Sequence, residues 1–199
     1  MFGCRHAPLS LPADVERNLA SAYAEPHRAY HNADHIAEVL RWYDLVADEA
    51  GWRDPTAVYL AALFHDAVYD PLAKDNEARS ADLARRLAGA PDRTAELILL
   101  TARHGALDPA VFDDDPDAAH FLDCDTAILG APPAEFDAYD AAIAAEYRAV
   151  PADAFLAGRR AFLANQLARP RIFQSPLFHA RLDAAARANL ARALARYQR

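Results

Sequence analysis

Apolar residues recur along the chain at three- and four-residue spacing, the period of helices that bury one face. Ile36, Val39, Leu40, Tyr43 and Val46 trace such a face. Val58, Leu60, Ala61, Leu63 and Phe64 form a denser run, which predicts a helix buried on most sides. Leu83 and Leu87, then Leu97, Leu100 and Thr101, continue the pattern. Near the end, Leu182, Leu190, Leu194 and Tyr197 share a stripe, while Arg187, Arg192, Arg196 and Arg199 fall largely elsewhere. No segment alternates as a half-buried strand would.

The boundaries agree with this reading. Asp54-Pro55, Asp108-Pro109, Asp115-Pro116 and Ser175-Pro176 each place a capping side chain before a proline suited to the first helical position. Pro132-Pro133 and Val150-Pro151 mark further boundaries, and the polar stretch 106–117 reads as an exposed loop. The expectation is an all-α single domain of about eight or nine helices spanning residues 1–199. A length of 199 residues suits one hydrophobic core.

Composition narrows the partners. The net charge is −8, a poor basis for gripping a nucleic-acid polymer. Charges interrupt every apolar run before it reaches membrane-spanning length. Two cysteines, Cys4 and Cys124, are too few for a disulfide framework, and the first ten residues lack the pattern of a signal peptide. A cytoplasmic location is therefore expected, and self-association is left open. The charge is uneven: residues 158–199 hold nine arginines and one acid, against 12 basic and 28 acidic groups before them.

Three places set polar residues in apolar surroundings. Arg28 to His35 opens the helix that carries Ile36 and Val39, with His31 and His35 four apart. His65-Asp66 follows Leu63-Phe64 at the end of the most apolar run, where a buried carboxylate is costly unless paired or coordinated. Asp123-Cys124-Asp125 follows Phe121-Leu122. Imidazoles and carboxylates together suit a divalent transition-metal ion (Mn, Fe, Co, Ni or Zn) better than calcium or magnesium.

Four ordered motifs are Tyr30-His31-Asn32-Ala33-Asp34-His35-Ile36, Phe64-His65-Asp66-Ala67-Val68-Tyr69, Asn76-Glu77-Ala78-Arg79-Ser80-Ala81 and Asp123-Cys124-Asp125. In this order, over roughly residues 25–130, the chain resembles the HD superfamily of metal-dependent phosphohydrolases. The resemblance is to a group of small bacterial members that carry these motifs. It implies the helical HD-domain fold, with His35, His65, Asp66 and Asp125 as metal ligands and Asp123 as a supporting residue or helix cap. It also implies hydrolysis of a phosphoester or phosphoanhydride in a small phosphorylated metabolite, a nucleotide being the expected class.

One ion is expected, with room for a second. Asp70, one helical turn beyond Asp66, and Glu77 are rival general bases. Where the superfamily's guanosine-tetraphosphate hydrolases have Glu-Asp, this chain has Tyr69-Asp70. Asp70 before Pro71 also fits a turn, and Asn76 with Glu77 also fits a helix cap. Arg28 is the first choice of cation for the phosphate, ahead of Lys74 and Arg79, since a guanidinium matches a phosphate edge. His31, Asn76 and His104 are the other expected substrate contacts. Two alternatives accompany this reading. One is a di-iron oxygenase, for which His31, His104 and His120 are the available extra ligands; the other is a non-catalytic, metal-stabilised nucleotide-binding or sensing domain.

Overall fold

The computed structural model describes residues 3–103, 109–112 and 114–198. Nine α-helices lie among these residues, and no strand does. They are α1 (Ala13–Tyr23), α2 (Ala33–Glu49), α3 (Pro55–Phe64), α4 (Asn76–Ala88), α5 (Asp92–Thr101), α6 (Pro116–Thr126), α7 (Pro133–Glu146), α8 (Ala152–Ala168) and α9 (Pro176–Tyr197). Short 3-10 segments at Pro109–Phe112 and Ala127–Gly130 flank α6. The protein is all-α, and none of its described helices is long and apolar enough to cross a membrane.

The dense apolar run becomes α3, whose residues Ala57 to Phe64 are all buried. It packs against α2, α4, α5 and α6, and so forms the centre of the core. In α2, Ile36, Val39, Leu40, Tyr43 and Val46 face inward as the periodicity predicts. Capping fixes where the central helices begin. Asp54 accepts from the Ala57 N–H, Asp115 from Ala118 and Ser175 from Phe178, each with proline in the first turn. Asp108 lies outside the described residues.

Two glycines serve the packing. Gly89 ends α4 in the left-handed region at φ 59°, which glycine adopts without a steric penalty. Gly130 lets α9 come close, since a Cβ there would stand 2.6 Å from the Cβ of Leu182. The described part of the stretch 106–117 is mixed, with Ala110, Val111 and Asp114 exposed as expected of a loop and other residues turned inward. Phe112 and Asp117 are buried, and the Asp117 carboxylate accepts the backbone N–H groups of Arg53 and Asp54 just before α3. Of its acids, Asp117 serves as an internal acceptor while Asp114 stays exposed.

Part of the basic C-terminal segment pairs with the acidic body. Arg181 pairs with Glu49, Arg192 and Arg196 share Asp137, and Arg196 also reaches Asp140. Arg187 pairs with Asp183 and donates to the carbonyls of Leu167, Arg169 and Pro170. These contacts dock α8 and α9 on the rest of the molecule.

Candidate metal centre

The Asn32 side chain caps α2 by accepting the N–H groups of Asp34 and His35. His35 therefore stands in the first turn of α2, facing inward. His65 terminates α3 and is buried, with Asp66 next to it. Asp125 lies in the last turn of α6. Three helix ends thus meet at one point, and each brings its ligand from a different part of the chain.

The structure brings His35, His65, Asp66 and Asp125 together, with one donor atom of each inside a 4.8 Å cluster. The two Nε2 atoms are 3.2 Å apart. His35 Nε2 is 3.5 Å from Asp66 Oδ2 and 3.2 Å from Asp125 Oδ1. The corresponding distances from His65 Nε2 are 3.1 Å and 3.3 Å. Donor atoms about 2.1 Å from a shared divalent ion lie about 3.0 Å apart at right angles and about 3.4 Å apart in a tetrahedron. The spacing fits such an ion. His65 Nδ1 lies 3.1 Å from the Ala62 carbonyl, a bond that directs the proton to Nδ1 and leaves the Nε2 lone pair for a metal.

The electrostatics point the same way. Burial disfavours a charged His65 ring, yet Asp66 and Asp125 outweigh it and raise its pKa well above the usual value. Burial likewise works against an ionised Asp66, but the charges of His65 and His31 hold its pKa far below the usual carboxylate range. Two carboxylates in a largely buried site demand a cation, whether a proton on imidazole or a metal.

Asp123 takes the other role left open for it. Its two carboxylate oxygens accept the N–H groups of Gln174 and Ser175 at the entry to α9. Cys124 is buried between the two aspartates, and burial raises its pKa well above the ordinary thiol value. It is a core residue in this structure.

A cavity of about 380 Å³ opens beside Asp66 and Asp125 and is lined also by His31, Tyr69, Lys74, Asn76 and Glu77. Of the expected bases, Glu77 faces this space. Asp70 is exposed, and its carboxylate accepts the Leu72 N–H within the turn at Pro71. The Asn76 amide bonds both ways to the Asp70 backbone, and the Ser80 hydroxyl does the same for Val68. Asn76 and Ser80 thereby clamp residues 68–70 onto the start of α4, which accounts for the Asn-Glu-x-x-Ser-Ala motif. His104 lies outside the described residues.

Arg28 is placed differently from the expectation. Its side chain is buried, and the guanidinium donates to the carbonyls of His31, Asp66 and Ala67 and pairs with Glu25. It lies over the rings of Tyr23 and Tyr69. A cation on the carbonyls that follow a helix end is favoured by the helix dipole, and here it fixes the backbone that presents Asp66. Its donors face the chain, so the cation lining the cavity is Lys74.

Sequence reasoning missed Glu146. Buried at the end of α7, it accepts from the backbone N–H groups of Tyr30 and His31, from the Tyr69 hydroxyl, and from His31 Nδ1 at 2.7 Å. Burial favours its neutral form, but the His31 contact and the two backbone donors hold its pKa at about 2. For His31, burial opposes the charge, while Asp66 and Glu146 raise the pKa above the usual value. The signal for Glu146 is the one that picked out Asp66, a carboxylate directly after an apolar run, here Ala141 to Ala145.

His120 stands away from the centre, against Trp52 and Phe178, and burial lowers its pKa. No family model matches the chain, and no curated protein or solved structure does either.

Proposed function

We propose that this chain is a divalent-metal-dependent phosphohydrolase of the HD type, acting in the cytoplasm on a small phosphorylated metabolite such as a nucleotide. The observation that carries the reading is the cluster of two imidazoles and two carboxylates at metal-ligand spacing, opening onto a cavity with Lys74, Glu77 and His31 on its walls. His35, His65, Asp66 and Asp125 would hold the divalent ion, which when bound would supply acidification of water and electrophilic polarisation of a phosphoryl oxygen.

The chain's own groups divide the remaining tasks. Lys74 meets the negative charge of the phosphoryl group as a point charge. Glu77 takes the proton of the attacking water. His31, fixed by Glu146 through Nδ1, offers Nε2 to a phosphoryl or leaving-group oxygen. Asn76, Ser80 and Arg28 hold the backbone that carries these residues.

The test is phosphate or pyrophosphate release from a panel of nucleotides and simple phosphoesters after loading with Mn²⁺, Co²⁺ or Ni²⁺. Release with at least one metal, lost in Asp66→Ala, is the expected result. A folded, metal-loaded protein that cleaves none of the panel would overturn the reading. Metal content separates it from di-iron oxygenation, which requires two irons per chain.

A further inference from the structure

A second cavity of about 440 Å³ lies between α7 and α8 and shares His31 and Tyr147 with the metal-side cavity. We infer that it seats the organic group of the substrate, a flat, uncharged aromatic or heteroaromatic ring. This rests on the phosphohydrolase reading, which places the phosphate on the metal side of His31. The ring then lies on the other side, and His31 with Tyr147 marks the boundary between them.

The lining sets the chemistry. Tyr139, Tyr147, Phe155 and Phe162 offer ring faces and edges, with Ile143 and Val150 closing the apolar wall. Aromatic walls favour offset or edge-on stacking with a planar guest over a flexible aliphatic chain. The cationic side chains on this wall among the described residues are Arg159 and His31, and each faces a buried carboxylate, Arg159 that of Asp140 and His31 that of Glu146. Arg159 Nε and Nη2 lie 2.9 Å and 2.8 Å from Asp140 Oδ1, and the guanidinium is stacked over Tyr139 and Phe162. The ligand cluster and Lys74 stand on the other side of His31, so the phosphate belongs there and the ring belongs against these aromatic walls.

Gly158 supports the assignment. It sits inside α8, where glycine is about 1 kcal/mol less favourable than alanine. A Cβ at this position meets nothing within 4 Å. No neighbour or backbone angle therefore requires glycine, and Gly158 lies exposed on the helix face that lines the cavity. Ala154, one turn earlier on the same face, is also small.

The experiment uses the full chain loaded with Mn²⁺ and two phosphate monoesters of equal charge, 1-naphthyl phosphate and glycerol phosphate. Calorimetry reads binding, and a phosphate assay reads turnover. The naphthyl ester should bind at least about tenfold tighter, which corresponds to about 1.4 kcal/mol. Gly158→Leu should abolish that preference while metal affinity and thermal midpoint hold. Ala154→Leu is the second variant should the first fail to fold. Equal binding of both esters by the wild type overturns the inference, as does a preference that survives both substitutions. Hexyl phosphate binding as tightly as the naphthyl ester overturns the ring and leaves only an apolar seat. Ring-selective binding without phosphate release keeps this inference and overturns the phosphohydrolase reading; release from both esters without selectivity does the reverse.

Discussion

The Glu146 carboxylate lies 2.7 Å from Nδ1 of His31, across 115 residues of sequence. The same carboxylate accepts the Tyr30 and His31 N–H groups and the Tyr69 hydroxyl. One buried acid thereby ties the end of α7 to the turn that leads into α2, and fixes which face His31 turns toward the metal centre.

Removing that acceptor should be costly. Glu146→Ala leaves several buried donors without a partner, each worth roughly 1–3 kcal/mol, and the net loss should be on the order of 3–4 kcal/mol. Urea unfolding at neutral pH measures it. Glu146→Gln, which keeps an acceptor oxygen, should lose less. A cost under about 1 kcal/mol for the alanine variant would mean that water replaces the carboxylate readily.

Acid should reveal the same contact. The folded pKa of Glu146 is held at about 2, against an ordinary glutamate value of 4.5. A depressed pKa contributes stability that is complete above the unfolded value and is lost as pH falls through the folded one. The gap corresponds to at most about 3 kcal/mol, reduced by solvent screening at the partly open His31 end. The wild type should lose this contribution between about pH 5 and pH 2, and Glu146→Gln should lack that component of the acid transition.

Metal affinity should rise with pH. Burial opposes a charged His65, but Asp66 and Asp125 raise its pKa well above the ordinary value, so without metal the ring keeps a proton. A divalent ion requires the neutral ring, and binding must displace that proton. Below the ring's pKa, Mn²⁺ affinity should increase by up to about tenfold per pH unit. Calorimetry in buffers of unequal ionisation enthalpy reads the released proton directly. An affinity constant from about pH 6 to pH 8 would show that His65 is already neutral before the metal arrives.

The two aspartates around Cys124 should separate cleanly. Asp125→Ala removes a donor from the cluster and should abolish the metal-induced rise in stability, which reaches about 2.7 kcal/mol at a hundredfold excess over Kd. Asp123→Ala leaves the Gln174 and Ser175 N–H groups unpaired. It should lower stability by about 1–3 kcal/mol and still show the metal shift. Thermal melts with and without Mn²⁺ distinguish the two.

What could be read from the sequence was what is local. Caps such as Asp54, Asp115 and Ser175 act within three residues, and the buried faces of α2 and α3 follow from spacing alone. The four cluster residues lie in three polar patches set in apolar surroundings, and it was the resemblance to the HD superfamily's ordered motifs that singled them out as one set. Glu146 also follows an apolar run, Ala141 to Ala145, but its partner His31 lies far along the chain. The Asp140 partner of Arg159 lies on another helix, and spacing does not disclose either pairing. Arg28 shows a different limit. Its position beside the Tyr-His motif places it near the centre, but spacing cannot say that its donors turn to the Asp66 and Ala67 carbonyls. The basic end was visible as an asymmetry, while its acidic partners Glu49 and Asp137 became evident only in three dimensions.

The cations near the centre should therefore differ in how they fail. Lys74 lines the cavity, so Lys74→Ala should weaken substrate binding, raising KM by about tenfold, with stability and metal affinity close to wild type. Arg28→Ala removes the donor to three backbone carbonyls at the site and should cost about 3–5 kcal/mol of stability with loss of metal affinity. Among the acids, Glu77→Gln should lower kcat by about a hundredfold or more with little change in KM, as expected for a general base. Asp70→Asn should leave kcat within about threefold, because its carboxylate accepts only the Leu72 N–H outside the cavity, and an amide oxygen can take that bond. A large fall in kcat for Asp70→Asn with none for Glu77→Gln would exchange the two roles and move the attacking water to the turn at Pro71.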